Sequence, residues 1–202
     1  MPSIEKVFEN ILSGAAKDKG EDDEPETTKV TGNEIHFYGE ITSENSLEFI
    51  SAFRNLEIKL LKQKADLIGY EPEIRVHIMS EGGDMFSGLA MKNMLESSRV
   101  KVITIAQGAC CSAATFMFLG GAERRMGQNA YILIHQISTE FWGKYQDLKD
   151  EAKTCEKFMK ALKKMYKEKT KIPEDKFKKL MKKDLFLSAS KCLKYQIAHA
   201  LD

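Results

Sequence analysis

No run of about 18 apolar residues occurs anywhere in the chain, which argues against a membrane-spanning helix. The longest apolar block, Ala106 to Leu119, is short and contains Gln107 and Ser112. Cysteine is sparse: Cys110, Cys111, Cys155 and Cys192 make no CxxC pair and no metal-ligand spacing, so no metal is expected. Neighbouring Cys110 and Cys111 cannot bridge each other without strain. Reduced thiols in a cytoplasmic setting are therefore expected, with a phage-encoded or organellar source left open. Net charge is nearly absent, at +1, and gives no case for nucleic acid as a partner. No GxxxxGK[ST] loop is present, so nucleotide hydrolysis is not expected of this chain. A secretory leader is not expected either, because Lys6, Asn10 and Ser13 interrupt the apolar residues near the start.

What is present fits one ordinary globular domain. The chain has 202 residues, 43% hydrophobic and 30% charged. Residues 1–30 hold eight acidic residues against four basic ones, concentrated in KDKGEDDEPETTK at 17–29. That stretch predicts a flexible acidic tail. Ile4, Val7, Phe8, Ile11 and Leu12 lie at helical spacing ahead of it, so a short N-terminal helix is expected there.

Residues 31–202 read as one folded domain. IHFYGEI at 35–41 is an expected strand, and Thr42 or Ser43 can cap the helix carrying Phe49, Phe53, Leu56 and Leu60. Further strands are expected at 73–79, 100–106 and 130–137, with helices after Gly82-Gly83 and over 112–122. This alternation predicts an α/β fold with helices packed on sheet faces. Over 144–184 the pattern changes: Leu148, Ala152, Cys155, Met159, Leu162 and Tyr166 define one long amphipathic helix. Fifteen lysines against eight acids in this region suit a solvated face.

Hydrolysis by a serine needs a base, a group fixing the base's tautomer, and donors for the developing oxyanion. Ser112 follows a strand and opens an apolar helix, where it is a candidate nucleophile or simply an N-cap. His135 lies in an apolar strand, as a base or a hydrogen-bonded core residue. Asp184 stands beside apolar Leu185 and Phe186, where it orients a partner or caps a turn. Taken singly, none of the three is decisive.

As a set they resemble the proteolytic subunit of Clp proteases. GACCSAATFMFLGGAERR at 108–125 is similar to that family's nucleophile segment. ILIHQ at 132–136 resembles its strand ending in His-Gln, and DLFLSASKCLKYQIAHALD at 184–202 its catalytic-Asp segment and closing helix. SEGGD at 80–84 and FYGEI at 37–41 resemble two further family segments, all in the family's order. The resemblance implies a crotonase-like fold of strand–strand–helix units with a projecting handle helix at about 146–169. It implies Ser112 as nucleophile, His135 as general base and Asp184 as its orienting acid. The backbone N–H groups of Gly83 and Ala113 would form the oxyanion hole, with no cofactor. It also implies peptide or protein substrates, heptamer-like rings that stack singly or in pairs, and a Clp-type AAA+ unfoldase as partner.

Several positions depart from the family pattern. Glu81 replaces a proline, Ile137 another, and Leu185 an arginine. The positions matching apolar ATPase-docking pockets are polar: His77, Ser97 and Gln107. Other readings stand beside the first: a catalytically silent ring scaffold, a capsid-maturation protease, or an acyl-CoA enzyme of the same fold.

Overall fold

The structure, a computed structural model, describes residues 26–202. The expected N-terminal helix and most of the expected tail lie outside the described residues. Strands β1 (Thr28–Thr31), β2 (Glu34–Tyr38), β3 (Glu73–Ser80), β4 (Lys101–Cys111), β5 (Glu123–Met126), β6 (Tyr131–Leu133), β7 (Phe186–Ser188) and β8 (Ala200–Leu201) build one sheet. The main path runs β1-β2-β3-β4-β5-β8, and β6 joins β4 on one side and β7 on the other. β1 begins inside the segment expected as tail and pairs with β2 through a Gly32 turn at φ 64°. β1–β2 and β6–β7 are antiparallel; every other pairing is parallel.

Helices α1 (Ser43–Asp66), α2 (Met85–Glu96) and α3 (Ala114–Leu119) follow β2, β3 and β4. α4 (Tyr145–Lys169), α5 (Glu174–Leu180) and α6 (Ala189–Lys194) complete the described chain. Local chemistry starts the first two: Thr42 accepts from the Asn45 N–H, and Asp84 from the Ser87 N–H at 2.7 Å. α1 runs on to Asp66, and the Leu67 N–H closes it by donating to the Gln63 carbonyl.

Alternation along β2 and β3 sends Ile35, Phe37, Ile74, Val76 and Ile78 to one face, all fully buried. Phe49 and Phe53 of α1 and Met91 of α2 pack on that face with no exposed surface. Truncating one of these phenylalanines to Ala costs about 3–5 kcal/mol by cavity formation. Glu57 is also buried there, where it accepts from the Arg99 N–H at 2.7 Å, Arg54 Nη1 at 2.8 Å and the Ser98 hydroxyl at 3.0 Å. Burial pushes its carboxyl pKa up, but these donors outweigh that and hold it below the usual value.

β4 changes partners along its length. Ile103–Ala106 pair with β5, whereas Ala109–Cys111 pair with β6. The change falls at a bulge against β3: Ile78 faces Ala106, yet Ser80 faces Cys110, so Met79 alone spans Gln107 to Ala109. Gly108 takes φ 64° at this bend. The expected strand at 100–106 is therefore too short, because β4 continues past the bulge to Cys111. The expected strand at 130–137 is too long; β6 ends at Leu133, before His135.

α4 is the projecting helix. Only Leu162 and Tyr166, near its C-terminal end, are buried, so the periodic residues Leu148 and Ala152 face solvent. Buried Arg124 anchors the region where α4 ends, donating to the carbonyls of Lys169, Gln196 and Ile197 at 2.7–3.0 Å.

Candidate active site

The C-terminal ends of β3, β4 and β6 open onto one cleft, the usual place for a site on a parallel sheet. Its volume is about 390 Å³, and its lining includes Gly83, Ser112, Ala113, His135, Phe86 and Phe158. Phe86 and Phe158 meet edge to face at 5.5 Å and give the cleft an apolar wall.

Ser112 leaves β4 on a sharp strand-to-helix turn. Its φ is 51°, a left-handed conformation that a side chain adopts at a cost of about 1–2 kcal/mol. It is not the N-cap considered from sequence: α3 begins after Ala113, and no side-chain cap is made. Strain of this kind persists where surroundings over-determine it. Here the Ser112 N–H donates to the Leu133 carbonyl at 2.9 Å. Its own carbonyl accepts from the Thr115 hydroxyl at 2.6 Å, and that hydroxyl also meets the buried Tyr166 hydroxyl of α4. Burial pushes the Tyr166 phenol well above its ordinary pKa, so the hydroxyl stays protonated.

The glycine pair fits against this turn. A Cβ on Gly82 would stand 2.6 Å from Ser112 Cβ and 2.8 Å from the Cys111 carbonyl. One on Gly83, at φ 136°, would stand 2.2 Å from the Ile41 carbonyl. Ile41 and Gly83 form a parallel bridge in which Ile41 N–H donates to Gly82 and Asp84 N–H to Ile41. The Gly83 and Ala113 N–H groups donate to no protein acceptor among the described residues. Two donors on the same cleft as a serine hydroxyl can receive an oxyanion.

Strand register delivers the other two residues. β6 lies beside the last turn of β4, so His135, two residues past Leu133, emerges next to Ser112. β7 runs antiparallel to β6 with Phe186 opposite Leu133. Continuing that register by two residues puts Asp184 opposite His135. Asp184 Oδ1 lies 3.8 Å from His135 Nδ1, within ion-pair range but longer than a hydrogen bond. The Asp184 side chain is 64% exposed. No hydrogen bond joins the Ser112 hydroxyl to His135 among the described residues.

The neighbouring thiols do not compete as nucleophiles. Burial, reinforced by the nearby Glu81 carboxylate, pushes the Cys111 thiol up to about 12, and burial raises Cys110 as well. Sequence reasoning did not single out Thr115 or Tyr166. The alternation of apolar residues in α4 marked Tyr166 only as a core position.

A family model described as Clp protease matches residues 33–201. The ATP-dependent Clp protease proteolytic subunit of Deinococcus radiodurans is 33% identical over 127 residues, covering 62% of this chain and 62% of that one. The ATP-dependent Clp protease proteolytic subunit 2 of Treponema denticola is 30% identical over 191 residues, covering 93% of this chain and 91% of the relative. A solved structure of a mutant ClpP1 from Listeria monocytogenes superposes with a TM-score of 0.71 at 20% identity, over 84% of this chain and 91% of that one, a likeness of fold. The chain belongs to the Clp protease family of serine-type peptidases.

Proposed function

We propose that this chain hydrolyses peptide bonds in unfolded or small protein substrates with Ser112, His135 and Asp184, as a subunit of an oligomeric ring. The observation that carries the reading is the strained Ser112 turn, flanked by two unengaged N–H groups and by His135 on one cleft. His135 takes the hydroxyl proton as Ser112 Oγ attacks the scissile carbonyl carbon. The carbonyl oxygen, now negative, accepts from the Gly83 and Ala113 N–H groups. Collapse breaks the C–N bond, and the leaving amine takes the proton from imidazolium. Water, deprotonated by His135, then releases the acid and restores Ser112. Asp184 fixes the tautomer by accepting from His135 Nδ1–H, once the 3.8 Å gap closes. Catalytic hydrogen bonds commonly tighten only when substrate binds.

The names of the relatives, proteolytic subunits of ATP-dependent proteases, support a multi-subunit assembly that depends on ATP; the ring and the partner ATPase are what the family resemblance implies. The second reading, a silent ring subunit, has its own observation: an exposed Asp184 and no Ser112–His135 hydrogen bond. Fluorophosphonate labelling with intact-mass measurement separates the two. The active reading expects one adduct on Ser112, none in Ser112→Ala, and a fall in peptide hydrolysis of about 10⁴-fold or more in that variant. Absence of labelling in the assembled ring favours the silent subunit. Native mass of the same sample reports the ring.

A further inference from the structure

The sheet face opposite the main core carries an unusual group of donors. Glu34 and His36 of β2 share this face because they are two residues apart, and His77 of β3 is the parallel partner of His36. The two imidazoles stack at 4.5 Å between centroids, 14° from parallel. Glu34 Oε2 lies 3.4 Å from His77 Nε2 and 3.8 Å from His36 Nε2. One ligand atom from each residue falls within 4.8 Å of the others.

His77 makes this cluster hard to explain as packing alone. Its side chain is 7% exposed, and neither ring nitrogen has a hydrogen-bond partner among the described residues. A buried polar atom without a partner costs about 1–3 kcal/mol, so Nε2, the nitrogen that faces Glu34, calls for a ligand. The nearest anion, Glu34, meets His77 Nε2 without hydrogen-bond geometry. Glu34 is held from its other oxygen: Arg75 Nε lies 3.4 Å from Oε1, while Arg75 Nη2 donates to Asp202 at 2.6 Å. Oε2 therefore stays on the imidazole side.

We propose that Glu34, His36 and His77 form a binding site for a divalent first-row transition ion, with zinc as the type ion. Metal–nitrogen bonds of about 2.0–2.1 Å in tetrahedral geometry set ligand atoms about 3.3 Å apart. The 3.4 Å pair already matches that edge; the 3.8 Å pair, and the two imidazole nitrogens within 4.8 Å of each other, reach it when the half-buried His36 ring turns out of its stack on His77. Two imidazoles and one carboxylate select zinc-like ions over magnesium or calcium, which prefer all-oxygen shells. Three protein donors leave a coordination position for water. The site binds β2 to β3, away from the catalytic cleft, and requires no thiol.

Full-length chain is stripped with chelator and titrated with zinc chloride by calorimetry. Cobalt(II) absorption is recorded in parallel. The expected result is about one ion per chain. Cobalt should give visible d–d bands without a thiolate charge-transfer band. Affinity should fall more than about 100-fold in His36→Ala and in Glu34→Gln, beyond the loss of a mere outer-shell contact. Zinc should raise the thermal midpoint of the parent chain alone. Both variants alter partly exposed residues outside the catalytic cleft, and circular dichroism with a cooperative thermal transition checks that they fold. Glu34→Gln, isosteric, serves if His36→Ala does not. Equal affinity in parent and variants, a thiolate band, or no binding at about 100 μM zinc overturns the site.

Discussion

The two ends of the proposed triad are built to different standards. At the nucleophile end, Ser112 is locked by β6, by Thr115 and Tyr166, and by Gly82 packed against its Cβ. At the acid end, Asp184 stands exposed just before β7, 3.8 Å from His135, with no hydrogen bond holding it among the described residues. A turn that must carry a strained φ needs contacts on every side to offset the strain. An acid that only orients an imidazole can be supplied late, by substrate or by assembly. The difference separates what the single chain preorganises from what it leaves adjustable.

Asp184→Asn tests the adjustable end and carries the largest expected effect. Peptide hydrolysis should fall about 10²–10⁴-fold, and the thermal midpoint should stay within about 1 °C of the parent. A large loss of stability here would break the comparison, since it would make Asp184 a structural anchor. Gly82→Ala tests the locked end. Its new Cβ meets Ser112 Cβ and backbone at φ 105°, which should cost about 2–5 kcal/mol and lower the midpoint by about 4–20 °C. Activity should fall with it; an unchanged midpoint would show that the turn yields.

Glu57→Gln probes the scaffold beneath both ends. It should cost about 1–3 kcal/mol at neutral pH through weakened charge-assisted hydrogen bonds. Because the folded-state pKa of Glu57 lies below its unfolded value, its contribution is full above about pH 4.3 and is lost as pH falls through the folded value. Denaturant titrations at neutral and acidic pH should therefore show the variant converging on the parent in acid. The smallest effect is expected of Tyr166→Phe, which removes one buried hydrogen bond to Thr115. A midpoint fall of about 1–6 °C, read by calorimetry, would sharpen the view that α4 braces the nucleophile turn.

Much of this was legible in the sequence, and the misses share one cause. The helix start at Thr42 was readable because capping is local chemistry, whereas the Asp84 cap of the helix after Gly82-Gly83 came only with the structure. The strand limits around the site were not, because they depend on partners. β4 outlasts its expected end by exchanging β5 for β6 at the Met79 bulge, and β6 stops where β7 no longer pairs with it. The sequence also allowed Ser112 to be a helix cap; only the left-handed turn excludes that. The juxtaposition of His36 and His77 was equally invisible. One is two residues from Glu34, the other is brought in by parallel pairing from far along the chain.

By itself the sequence determined the α/β alternation and the long solvated helix, and it offered Ser112, His135 and Asp184 as candidates through motif resemblance. Those features rest on periodicity, capping and motif, which are properties of neighbouring residues. The tertiary structure decided the rest: the strain at Ser112, the two unengaged N–H groups, and the loose stance of Asp184. Each of these depends on strand register, and register is set by contacts between segments that the linear chain keeps far apart.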